Sequence, residues 1–117
     1  MLIAICSNGM KILIRTTKLD LTPSFKTYIE EKLGSVEKFL KRWEEKGSVV
    51  LRVEVARTTK HHKKGEVFYA ETNLDIPRGV IRAESYHSDA RLAINAMEKI
   101  LRSEIKKHKE KMEIKRR

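Results

Sequence analysis

The stretch KILIRTT, from Lys11 to Thr17, packs β-branched and apolar residues into a short run that predicts a strand. LDLTPSF follows with a helix-start signal. Thr22 can accept from an early backbone amide as N-cap, and Pro23 suits the first helical position, where its missing N–H would have had no partner. Phe25, Tyr28, Ile29, Leu33, Val36, Phe39, Leu40 and Trp43 then recur at the three-and-four spacing that lines one face of an α-helix, so this stripe is expected to be core. Gly34 interrupts it at a cost of about 1 kcal/mol relative to Ala, which marks a bend or a close contact. Lys26, Lys32, Lys38, Lys41 and Arg42 fall mostly off the stripe and should face water or a partner.

SVVLRVEVART sets Val49, Leu51, Val53 and Val55 against Val50, Arg52, Glu54 and Ala56, the period-two signature of a strand buried on one face. EVFYAETNLDI predicts a second, with Phe68, Ala70, Leu74 and Ile76 inward and Tyr69, Glu71 and Asn73 outward. TTKHHKKG between them reads as a hairpin loop, Pro77 to Gly79 as a second turn, and Val80 to Glu84 as the last strand. Ser88 and Asp89 offer cap oxygens to a final helix whose inner stripe is Ala93, Met97, Ile100, Leu101 and Ile105. Beyond Ile105 apolar residues thin to Met112 and Ile114, so the last turns are expected to project past the core or fray.

The predicted order is β-α-β-β-β-α. A strand-helix-strand crossover makes the first two strands parallel, and tight hairpins make the rest antiparallel. Arg52, Glu54, Tyr69 and Glu71 leave the opposite face polar, so both helices must cover the same face of a four-stranded mixed sheet. The expected class is a two-layer α+β domain.

Composition supports a folded unit with a very polar exterior: of 117 residues, 40% are hydrophobic and 36% charged. The strand pattern begins just after Met10. Residues 1–9 therefore read as an N-terminal extension, with Met10 an alternative start, 10–114 as one domain and 115–117 as a basic tail end. The apolar run in MLIAICSNG is too short for a signal peptide or membrane span. Cys6 is the single cysteine, which permits no internal disulfide and leaves the cytoplasm as the default location.

A net charge of +10 changes the picture more, because such self-repulsion is most easily tolerated beside an anionic partner. From Lys99 to Arg117 there are nine Lys or Arg against three Glu, a net of +6. Lys99, Arg102, Lys106 and Lys109 recur at helical spacing away from Met97, Leu101 and Ile105, with Lys107 and Lys111 flanking them. Cations near a helix C-terminus complement its dipole, but that effect does not need so many. A basic surface tracking RNA backbone is the better reading. A membrane-surface helix competes, but its apolar stripe is small and lacks interfacial Trp or Phe.

Catalysis finds little support. There is no glycine-rich phosphate loop, no partnered cysteine and no carboxylate pair placed for acid/base work; no cofactor or small-molecule substrate is expected. His61 and His62 are neighbours in an extended segment and point to opposite sides, so no metal site is expected; with Lys60, Lys63 and Lys64 they read as an exposed basic loop. His87 and His108 have no ligand spacing. The open sheet face offers mainly Tyr69, too little for base-stacking readout, so Tyr69 reads as a cross-strand packing residue.

NLDIPRGVIRAESYHSDARLAINAMEKILRSEIKKHKEK resembles the second half of the ribosome hibernation promoting factor family, which includes ribosome-associated inhibitor A (protein Y) and proteins called sigma-54 modulation proteins. The shared signals are the Pro77–Gly79 turn, Asp89 opening the helix, Ala93-Ile94, and Lys107-His108-Lys109 with Lys111. LDLTPSFKTYIEEKLGSVEKF is similar to the family's first helix and its entry. The resemblance implies a double-stranded-RNA-binding-domain-like fold that binds rRNA of the small ribosomal subunit, in the channel of mRNA and tRNA, and inhibits translation in stress or stationary phase. It carries over Lys107, His108, Lys109, Lys111 and Lys26 as rRNA contacts; Lys99, Arg102 and Lys106 join them from the stripe alone. Two positions depart from the family: Arg91 stands where an aromatic is usual, and Ser103-Glu104 where Arg-Gln is frequent.

The chain ends soon after the last helix, so the resemblance is to a short form without the C-terminal dimerisation domain, and a homodimer is not expected. A protein-binding regulator of the sigma-54 modulation type and a general double-stranded RNA binder are the alternatives.

Overall fold

The computed structural model describes residues 2–7, 10–47, 49–58, 67–77 and 79–116; of residues 2–7, 42, 46 and 112–116 only the backbone is described. The predicted basic loop from Lys60 to Lys64, the turn residue Arg78, and the side chains of Arg42, Met112 and Ile114 lie outside the described residues.

Five strands, β1 (Leu2–Ser7), β2 (Met10–Thr17), β3 (Val49–Thr58), β4 (Val67–Ile76) and β5 (Gly79–His87), form one sheet in sequence order. β2 and β3 are parallel and the other neighbours antiparallel. This is the mixed α+β sheet expected from β2 onward, with one addition. Leu2–Ser7, expected as an extension, pairs antiparallel with β2 in the register Ile3↔Ile14 and Ile5↔Ile12. An apolar run too short to cross a membrane is long enough for an edge strand.

Inward residues alternate along each strand: Met10, Ile12 and Ile14; Val49, Leu51, Val53 and Val55; Ala70, Leu74 and Ile76; Ile81 and Ala83. Thr72 also points inward, and its hydroxyl donates to the Arg52 carbonyl at 3.0 Å, which satisfies the one polar atom it brings into the core.

Helix α1 (Pro23–Gly34) is capped by Thr22, whose hydroxyl accepts from the Phe25 amide at 3.2 Å. The expected continuous helix ends at Gly34, where the backbone tightens into a 3-10 segment, Ser35–Phe39, followed by the short α2 (Lys41–Lys46). A Cβ on Gly34 would meet nothing, so this glycine marks the change of helix and not a close contact. Across the change Phe25, Ile29, Leu33, Val36, Leu40 and Trp43 all remain buried.

Helix α3 (Ala90–Arg116) is one unbroken rod. Asp89 starts it: its Oδ1 accepts from the amides of Arg91 and Leu92 at 2.8 and 3.2 Å. Ala93, Met97, Leu101 and Ile105 are buried as expected. Ile100 is not. It is 40% exposed and Ile94 is fully buried, because at about 100° per residue Ile100 lies a quarter turn from Leu101 whereas Ile94 falls between Met97 and Ile105. The buried residues of α1, α3 and the sheet form a single core. Past Ile105 the helix continues to Arg116 and extends beyond that core.

Candidate nucleic-acid interface

Helices α1 and α3 lie side by side and are pinned at two ends. At one end the Tyr28 hydroxyl donates to the Arg91 carbonyl at 3.1 Å. The Arg91 guanidinium lies 5.0 Å from the Tyr28 ring and 5.9 Å from Phe25, and it donates to the Ser24 hydroxyl at 3.3 Å. An arginine thus occupies the position where an aromatic is usual, within cation–π range of two aromatics of the neighbouring helix. At the other end, where the 3-10 segment and α2 have taken over from α1, the Trp43 and His108 rings meet edge to face at 5.6 Å, and the Lys109 ammonium sits 5.6 Å from Trp43 and 6.0 Å from Phe39.

Between the pins runs a groove of two adjoining recesses. The first, about 630 Å³, is lined by Tyr28, Lys32, Asn95, Glu98, Lys99 and Arg102 among others. The second, about 580 Å³, has Phe39 and Ile105 as its apolar lining, surrounded by Lys99, Arg102, Lys106 and Lys109. Lys99 and Arg102 belong to both and stand where the recesses join. Glu98 is buried there and forms an ion pair with Arg102, its Oε1 2.7 Å from the Arg102 Nε, which draws the guanidinium to the junction. Among the described residues Lys99 and Lys106 form no ion pair.

The structure therefore gathers four of the eight sequence-predicted residues, Lys99, Arg102, Lys106 and Lys109, around one groove. The rest are placed differently. Lys107 and Lys111 are exposed on the far flank of α3, with Lys107 3.5 Å from Glu104. His108 turns inward to Trp43. Lys26 is not among the groove residues and pairs with Glu30 at 3.5 Å, one turn along α1. Lys32, Phe39 and Glu98 were missed as groove residues. Lys32 carried the right signal, a cation on the face of α1 that meets α3, but a buried Glu one turn before an Arg has no signature that separates it from a surface pair.

The open face of the sheet has the opposite character, because its charges are matched. Arg52 pairs with Asp75 at 2.8 Å, Arg15 with Glu54 at 3.8 Å, and Arg82 with both Glu71 and Glu84, at 2.8 and 3.2 Å. The single Tyr69 hydroxyl proton is shared between two carboxylates in reach, Glu71 and, at 2.8 Å, Glu84, while its ring meets that of its cross-strand partner Tyr86 at 4.8 Å. Desolvation and these carboxylates push the Tyr69 phenol well above its usual value; the Tyr69 hydrogen bond, helped by Asn73 and Arg82 against the cost of burial, holds Glu71 below the usual carboxylate range. Tyr69 is the packing residue its position suggested, and its hydroxyl is engaged within the sheet.

Among the described residues no cluster of three potential ligands could hold a metal ion, and no helix is long and apolar enough to cross a membrane.

The structure is thus an α+β domain whose mixed sheet has matched charges on one face and, on the other, a helical layer that encloses a cationic groove. The chain belongs to the family described as Sigma 54 modulation protein / S30EA ribosomal protein, whose family model matches residues 12–113. It is 29% identical over 91 residues to a ribosome hibernation promotion factor of Deinococcus radiodurans, a match covering 78% of this chain and 44% of that protein. The chain thus spans under half the length of that relative. Its fold is similar to the N-terminal domain of Thermus thermophilus Protein Y, with TM-score 0.64, 22% identity, and coverage of 81% of this chain and 94% of that one. A ribosomal subunit interface protein of Coxiella burnetii is similar with TM-score 0.65, 15% identity, and coverage of 84% and 96%.

Proposed function

We propose that this domain is a non-enzymatic ribosome hibernation factor: it binds rRNA of the small subunit in the mRNA/tRNA channel and inhibits translation in stress or stationary phase. The observation that carries this reading is the groove along α3, beside α1 and the 3-10 segment, where Lys99, Arg102, Lys106 and Lys109 converge. Family membership supports a ribosomal partner, and the matched sheet face argues that binding uses the helical layer. Lys107, His108, Lys111 and Lys26 extend the contact beyond the groove on either side. The binding unit spans residues 10–114, acts in the cytoplasm as a monomer, and needs no cofactor.

Sedimentation with intact ribosomes and separated subunits across a salt series tests this. Saturable binding to the small subunit is expected, falling about a hundredfold between about 50 and about 200 mM salt if four phosphates are neutralised. Binding that survives high salt and nuclease would instead indicate a protein partner, and equal affinity for arbitrary RNA duplexes a general duplex binder.

A further inference from the structure

A groove that only tracked phosphates would need cations and nothing apolar. The recess beside α3 has more than that: its lining includes the half-buried Phe39 ring beside the core residue Ile105, and among the described residues no carboxylate lines it. Phosphates of a duplex cannot use such a floor, because in an A-form helix the bases are stacked inside and the backbone presents only sugar and phosphate oxygens. An unpaired nucleotide can, since it brings a flat apolar base and two flanking anionic groups together.

We propose that this recess seats one unpaired nucleobase against Phe39, with its neighbouring phosphates on Lys99, Arg102, Lys106 and Lys109. The inference rests on the RNA-binding reading above and specifies what part of an RNA the site takes. At about 580 Å³ the recess has room for a nucleotide with its sugar. Phe39 is half-buried at the end of the 3-10 segment, held by the core below and open toward the groove. Its ring carries ammonium groups in the resting protein, Lys38 at 5.2 Å and Lys109 at 6.0 Å. Both are on long flexible stems, so on binding each head can leave the ring for a phosphate while the stem stays as a wall. Arg102 is ion-paired with Glu98 one turn back, so it swings less readily than these lysines and presents a planar cation at the junction of the recesses.

Fluorescence anisotropy of the full chain with three RNAs of equal length and charge tests the seat: a single strand, the same strand with abasic riboses, and a duplex. The single strand is expected to bind about tenfold tighter than its abasic form, the size of one base–aromatic contact. Phe39→Leu should abolish that preference while leaving affinity for the abasic strand unchanged, and Phe39→Trp should keep it. If Phe39→Leu fails to fold, the abasic comparison and Phe39→Trp still decide. Equal affinity for base-bearing and abasic strands, tighter binding of the duplex, or equal displacement by anionic lipid vesicles or polyglutamate would overturn the seat. Sedimentation separates this from the ribosomal reading. Small-subunit binding without base preference overturns the seat alone, whereas base preference without small-subunit binding supports the seat and overturns the ribosomal partner.

Discussion

Glu98 and Arg102 are one helical turn apart on α3 with their charged ends 2.7 Å from each other, yet the Glu98 side chain is 5% exposed and that of Arg102 is 46% exposed. The carboxylate is inside the protein and its counter-ion reaches water, so the two are not interchangeable in what they cost to remove. Arg102→Ala strands a buried charge and should destabilise the fold by about 2–3 kcal/mol, toward the lower end for a broken buried pair because Arg102 is half solvated. The double variant with Glu98→Gln should recover most of that loss. Urea denaturation of the four proteins of this cycle measures it, and an additive double variant would show that the pair carries no coupling.

Lys99 and Lys106 are exposed and off the core, so they separate binding from folding where Arg102 does not. Replacing each by Gln should leave stability within about 0.5 kcal/mol and lower the slope of log affinity against log salt by about one unit per lysine. Small-subunit sedimentation at several salt concentrations, alongside thermal melts, checks both halves. Unchanged slopes would move the phosphate contacts to the other flank, where Lys107 and Lys111 lie.

The Tyr69 network gives the sheet a pH signature at both ends. The Tyr69 pKa is raised in the fold, so its contribution is full below about pH 10, the unfolded value, and declines as pH rises further. Glu71 is lowered, so its contribution is present above the unfolded value of about 4.5 and is lost as pH falls through the folded one. Tyr69→Phe should cost about 1–2 kcal/mol at neutral pH, with the gap to wild type closing above pH 10. Denaturant midpoints for both proteins across pH follow this directly, and a gap independent of pH would dissociate Tyr69 from the carboxylates.

Lys18 follows β2 with φ of 57°, the left-handed region that L side chains pay to occupy. Asn tolerates that region better, so Lys18→Asn should stabilise by about 0.5–1 kcal/mol, an increase of a few degrees in melting temperature. A drop would mean that the Lys18 stem contributes packing that outweighs its backbone strain.

Much of this fold was legible because its signals are local. An apolar run marked β2, alternation marked β3 and β4, a turn signal marked the start of β5, Thr22-Pro23 and Asp89 marked the helix starts, and helical spacing found the cationic stripe. What escaped depends on partners distant in sequence. Leu2–Ser7 becomes a strand only because β2 offers an edge. Ile100 and Ile94 are equally apolar, and only the line along which α3 meets the sheet decides which is buried. The Trp43–His108 contact joins residues from different elements, so no local signal shows that the His108 ring also packs against the layer beside α3. Tyr86, beyond the end of the predicted last strand, matters because the register puts it across from Tyr69.

The pairing of charges across the sheet has a consequence before any contact is made. With that face neutral by internal compensation and Lys99, Arg102, Lys106 and Lys109 gathered around a groove in the helical layer, the charge of the described residues is unequal between the two layers. A polyanion's field exerts a torque on such a body and turns the helices forward during approach, so a greater share of random collisions becomes productive. The ion pairs of the sheet, remote from the groove, therefore act on the rate of encounter rather than on the strength of the final complex.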